Sequence, residues 1–179
     1  MAMVPGCFGE DEKIMSVTTK LDLPTSPRAA VFRAMETIVR QNAIFNRVVK
    51  PDRFRTWEGH PRDIKPFSYQ EAPCMRWTPM NGPETFETPN MMKGDLLLNC
   101  EVIIAGSCSD DLTNFWWMLE TCFYPGGTPN NVIQQTLRNA GAHTGLVMFT
   151  QPASDPSPDG VFFAGAGQLR IEVSFTINT

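Results

Sequence analysis

The run Gln168 to Asn178 alternates without a break. Leu169, Ile171, Val173, Phe175 and Ile177 are apolar, and Gln168, Arg170, Glu172, Ser174 and Thr176 stand between them. Period two puts the two sets on opposite faces of an extended chain, one dry and one wet. Such a strand must sit in a sheet, and its dry face must be covered by a second layer. The segment GDLLLNCEVIIAG, starting at Gly94, fits the same sheet. Leu96, Leu98, Cys100, Val102 and Ile104 share one face, while Leu97 and Ile103 flank Asn99 and Glu101 on the other. A strand apolar on one face and partly apolar on the second belongs at or near the centre.

Helices are available to cover that sheet. Ser26 can cap free N–H groups, and Pro27 suits the first helical position because its missing donor is not needed there. The spacing of Ala30, Val31, Ala34, Met35, Ile38 and Val39 predicts a helix over 27–42, with Glu36 off the stripe. After Gly106, SCSDDLTNFWWMLETCF predicts a second helix, capped by Ser109 or Asp110, with Asp110 and Asp111 at its positive end. Leu112, Phe115, Trp116, Leu119 and Phe123 mark its buried stripe. Trp117 and Met118 widen that stripe, so most of the circumference is expected to be covered. Pro125-Gly126-Gly127 ends it. Thr128-Pro129 then opens a short helix through Val132, Ile133, Thr136, Leu137 and Ala140, closed by Gly141.

Smaller pieces complete the order. GLVMFT (145–150) reads as a strand, PASDPSPDG (152–160) as an exposed turn-rich loop, and Val161-Phe162-Phe163 as a short strand. Near the start, Met15, Val17, Thr19, Leu21 and Leu23 alternate with Ser16, Thr18, Lys20 and Asp22 until Pro24, which predicts a half-buried strand. The pattern as a whole predicts a single α+β domain over 14–179, with a mixed, mainly antiparallel sheet packed by two main helices. Residues 1–13 have little to bury and are expected to be a flexible arm. Residues 43–93 hold seven of the chain's 15 prolines and are expected to be an irregular, Pro-rich insertion or arm. Short extended pieces fit near Val48–Trp57, Cys74–Thr78 and Thr85–Thr88. Its aromatic side chains either pin a long loop to the core or face a neighbouring subunit. Trp57, Phe67, Tyr69, Trp77 and Phe86 are the candidates for the second role.

Composition narrows the function classes. The chain has 179 residues, 19 acidic against 15 basic, for a net charge of −4. It has no long run of Lys or Arg to release counterions from nucleic-acid phosphates. Its densest basic stretch, Arg47 to Lys65, is interleaved with Asp52, Glu58 and Asp63. Five cysteines with no C-x-x-C pattern argue for reduced thiols in a cytoplasmic setting rather than a secreted disulfide frame. No signal peptide is expected from MAMVPGCFGEDEK, which lacks an apolar core. No apolar run approaches the roughly 20 residues of a membrane span.

Catalytic chemistry is hard to find. His60 stands in the turn GHPRD and His143 follows a helix end; neither has a second His or Cys at metal-ligand spacing. Asp110-Asp111 read first as helix-end charges, and Glu101 as a solvated strand position. Gly165-Ala166-Gly167 leads into a strand, where a dinucleotide site needs a helix N-terminus. Gly126-Gly127-Thr128 lacks the Lys of a phosphate loop. No catalytic residue, cofactor or metal is therefore expected.

The layout of the second half is more informative. The strand GDLLLNCEVIIAG, the Ser-Asp-Asp-Leu-x-Asn start, the bulky helix TNFWWMLETCF, a turn-rich stretch and the C-terminal GQLRIEVSFTINT follow one another. With the amphipathic helix near residue 30, this order resembles the tail terminator (tail completion) proteins of long-tailed bacteriophages. The resemblance covers about residues 27–42 and 94–178. It implies a structural virion protein that forms a homo-hexameric ring, capping the tail tube and joining it to the head connector. It also implies assembly in the host cytoplasm, DNA passing the lumen without specific binding, and no membrane. Three alternatives stay open: another connector or stopper component, a small cytoplasmic enzyme using a Cys or carboxylate, and an adaptor whose Pro-rich segment binds a partner.

Overall fold

In the computed structural model the described residues are 25–56, 67–106, 109–156 and 161–176, with the backbone alone at 109 and 151–156. The expected arm over 1–13 and the expected strand over Met15–Leu23 lie outside them. The first helix, α1 (Pro27–Gln41), starts where the sequence places it. Ser26 Oγ accepts the Ala29 N–H at 3.1 Å, with Pro27 in the first turn. Asn42 then closes α1 and opens α2 (Ala43–Val48), its Oδ1 accepting the N–H groups of Ile44 at 2.9 Å and Phe45 at 3.0 Å. That cap corrects the expectation of extended chain from Val48. The first strand, β1 (Phe54–Thr56), begins only after a 3₁₀ turn at Pro51–Arg53.

Two long strands follow, β2 (Cys74–Thr88) and β3 (Met91–Ala105), then α3 (Ser109–Phe123), α4 (Asn131–Asn139), β4 (Ala142–Pro156) and β5 (Phe162–Thr176). They form one sheet in the order β1-β2-β3-β5-β4, with β1 parallel to β2 and the other pairs antiparallel. This is the α+β architecture with a mixed, mainly antiparallel sheet. The strand from Gly94 is indeed central. Leu96, Leu98, Cys100, Val102 and Ile104 of β3 meet Leu169, Ile171 and Val173 of β5 under the helices. The opposite face carries cross-strand charges, Arg76 with Glu101 and Arg170 with Asp95.

Several boundaries move, each for a local reason. The extended pieces at Cys74–Thr78 and Thr85–Thr88 are two ends of the single strand β2. Pro79 sits opposite Leu98, and Pro83 falls in a bulge between Asn81 and Glu84. Past Trp77 no described strand lies on the outer side of β2, so a proline lacking an N–H is tolerated there. The last helix starts at Asn131 rather than near Thr128, because Asn130 Oδ1 takes the N–H groups of Val132 and Ile133. The turn-rich stretch after Thr150 is strand through Pro156, and Phe162-Phe163 is the start of β5 rather than a separate piece.

Polar ties fix the Pro-rich segment to the helices. Glu36 is buried although it lies off the apolar stripe. Its Oε1 accepts from Arg40 Nε at 2.7 Å and from Thr56 Oγ1 at 3.0 Å. The Arg40 guanidinium also donates to Phe54 O at 3.2 Å and lies over the Phe54 ring. At the far edge, Tyr124 beyond α3 closes on β4. The Val147 N–H donates to Tyr124 Oη at 2.7 Å, and the Tyr124 hydroxyl donates to Val147 O at 2.6 Å.

Candidate contact surfaces

The five aromatic candidates separate by strand position. Trp57 lies outside the described residues. Trp77 is a correction: it is 0% exposed, faces the helices opposite Cys100, and sits edge-on to Phe54 at 5.0 Å. It belongs to the core and offers no surface to a neighbour. Phe67 is half-buried with the Arg55 guanidinium 4.0 Å over its ring. Tyr69 is exposed on one side and packs on Phe162 at 5.2 Å. Phe86 is 69% exposed, near the turn that joins β2 to β3.

Two apolar surfaces result. One is the far end of the β2–β3 hairpin, where Phe86 and Met91 are exposed. The other is a groove of about 470 Å³ between α2, Pro73, the end of β3 and α3. Ile44, Val48 and Trp117 rim it, and Ile104, Phe115 and Met118 form its floor. Helix α2 reaches the core through Phe45 alone, which leaves Ile44 and Val48 outward. Trp117 is 63% exposed, contrary to the expectation that it widens the buried stripe of α3; Met118 does. At 100° per residue Trp117 lies roughly 140° from Leu112, next to Thr113 and Glu120. That angle was the available signal. The short helix α2 gave none, since six residues carry too little periodicity.

The groups that catalysis might use are placed otherwise. Cys74, Cys100 and Cys122 are free and buried. Loss of water pushes the Cys74 thiol up to about 11, Cys122 to about 12, and Cys100 up as well. A nucleophilic thiol needs the opposite environment. Cys7 and Cys108 lie outside the described residues, as does His60. His143 is exposed, its Nδ1 2.8 Å from Ser174 Oγ. Glu101 is paired with Arg76, and Asp110 and Asp111 occupy the first turn of α3. Among the described residues no three His, Cys, Asp or Glu converge as for a metal ion. No helix among them is long and apolar enough to cross a membrane.

The thiols give a first prediction. At pH 8 a group with a pKa near 11 is thiolate in about one molecule per thousand. Alkylation of native protein, mapped by mass spectrometry, should leave Cys74, Cys100 and Cys122 at least about 100-fold slower than in urea. The same burial sets the alkaline limit of stability. The fold keeps protons that the unfolded chain releases above about pH 9, so the urea midpoint should fall as pH rises from there through about 11. A flat midpoint over that window would refute it.

No family model matches this chain, and no curated protein matches it. Among solved structures, a chain in the virion of a native gene transfer agent particle is similar, with a TM-score of 0.42 and 11% identity. The alignment covers 83% of this chain and 94% of that one. A likeness of that size says nothing about what this chain does.

Proposed function

We propose that this chain is a structural virion protein of a bacteriophage neck or tail, a tail terminator whose copies form a hexameric ring. The ring caps the tail tube and joins it to the head connector, with DNA passing through its lumen. One observation carries the self-association: the two exposed apolar surfaces lie at opposite ends of β3 and differ in shape. Met91 begins that strand beside the hairpin tip, and Ile104 and Ala105 end it in the groove. Fifteen extended residues set the two about 45–50 Å apart. A projecting patch and a concave one on opposite ends suit a head-to-tail contact, which closes into a ring when the rotation per subunit allows. The tail-tube and connector roles rest on the sequence layout.

The contact predicts a specific mixing result. Trp117→Glu should spoil only the groove, and Phe86→Glu only the hairpin. Both side chains are solvent-facing in the subunit, so each variant should fold and remain monomeric by native mass spectrometry. Each substitution should weaken the junction by about 2 kcal/mol or more, roughly 30-fold. An equimolar mixture should form heterodimers, because one intact groove meets one intact hairpin and no further junction can form. A wild-type chain that stays monomeric beside tail tubes, or a mixture that yields no heterodimer, would overturn the assignment.

A further inference from the structure

The stretch of β2 that carries Phe86 is set apart from the rest of its strand. The ladder with β3 shifts register between Asn81 and Glu84 and again between Phe86 and Thr88. Between the two shifts only Glu84, Thr85 and Phe86 pair, with Gly94, Lys93 and Met92. No described strand lies on their outer side. A bulge bends a strand and disrupts its ladder, so the pairs between two bulges hold this piece loosely on their own.

One side chain from the helix layer reaches it. Arg28 is the second residue of α1, and its guanidinium crosses the helix side of the sheet to an ion pair with Glu84. On the way it lies 4.9 Å over the Phe175 ring. It also lies against Gly94, where an added Cβ would stand 2.5 Å from Arg28 Nη2. One residue thus bridges β5, β3 and β2. Phe175 stands opposite Met92, and Met92 opposite Phe86, so the guanidinium backs the apolar row whose outer member is Phe86. Stability alone gives a weak reason for an arginine here. A cation in a first turn opposes the helix dipole. Arg28 Nε is also buried with no hydrogen-bond partner among the described residues, and an apolar side chain would leave no such donor.

We infer that Arg28 is a positioning residue for the subunit contact: through Glu84 it holds Phe86 at the angle that enters the groove of a second copy. The inference rests on the hairpin-to-groove reading above and adds what orients the hairpin. Arg28 acts through Glu84, since its own side chain is only 19% exposed and lies behind the row. Lys93 and Glu87 form the other ion pair of this corner, but both belong to the hairpin and cannot tie it to the helices. Fixing a projecting side chain in advance spares the contact the cost of ordering it.

Two variants break the tie from opposite ends, Arg28→Leu and Glu84→Gln. In the Trp117→Glu background, at concentrations where the protein is monomeric, each should speed amide exchange over Glu84–Thr88 about tenfold or more and leave the centre of β3 unchanged. With the groove intact, each should weaken self-association about tenfold, and the double variant no more than either alone. Mixing locates the defect. Arg28→Leu should give at least about tenfold more heterodimer with Trp117→Glu, whose hairpin is intact, than with Phe86→Glu, whose hairpin is also spoiled. Arg28→Lys keeps a cation for Glu84 and should bring the two partners level. Unchanged exchange, additive losses, or equal pairing of Arg28→Leu with both partners would overturn the inference. Failure of Phe86→Glu to join Trp117→Glu would instead remove the contact reading itself, and the role of Arg28 in it.

Discussion

Trp77→Ala should destabilise the chain by about 3–5 kcal/mol, the usual loss for a fully buried aromatic side chain. At a typical slope of about 2 kcal/mol per M, this lowers the urea midpoint by roughly 2 M. The size follows from what the indole touches. Its ring meets Phe54 edge-on at 5.0 Å, and Phe54 meets Phe45 edge-on at 5.4 Å. Phe45 is the only buried residue of α2, and Phe54 is the buried residue of β1. Removing the indole thus opens a cavity beside Phe54, whose ring in turn supports Phe45 of α2. Phe86→Ala in the monomer should cost less than about 0.5 kcal/mol, as for a surface position. Equal losses for the two variants would mean that Trp77 is not where the fold places it.

Gly145→Val should cost about 3–4 kcal/mol, from two separate sources. Gly145 has φ of +70°, a region costly for any residue with a Cβ and most costly for a β-branched one. A Cβ there would also stand 2.7 Å from Gln134 O, a backbone atom of α4 that cannot swing aside. Gly126 separates the two effects. Its φ is +68°, yet nothing lies within 4 Å of an added Cβ. Gly126→Ala should therefore show the backbone cost alone, about 1 kcal/mol. Thermal and urea unfolding of the pair would test this, and a Gly145 variant no worse than the Gly126 one would remove the close packing of α4 on β4.

Much of the fold was legible where a rule acts over neighbouring residues. Ser26-Pro27 marks the start of α1 because the cap bond spans three residues. The alternation around Leu98 and Ile171 marks β3 and β5 because one buried face imposes period two. What failed to show depends on partners distant in the sequence. The prolines of β2 argue against a strand until one knows that their outer side has no ladder to complete. Trp77 and Phe86 look alike within one Pro-rich stretch. The register with β3 separates them, setting one under the helices opposite Cys100 and the other past the helices opposite Met92. Glu36 looked like a solvent position on its own helix, and only the arrival of Thr56 from β1 makes it an interior acceptor. The groove was illegible for the same reason, since its rim comes from α2 and α3, which are far apart along the chain.

The hydroxyl of Tyr124 has an effect beyond holding α3 to β4. A residue in an antiparallel ladder turns its amide and carbonyl both toward one neighbour or both away. Val147 gives both to the phenol, so they point off the sheet. One side chain satisfies the rung that an incoming polypeptide would need there. At Val147 that rung is occupied by an oxygen atom of the same chain, and Tyr124→Phe would leave the amide and carbonyl without it while filling the same space.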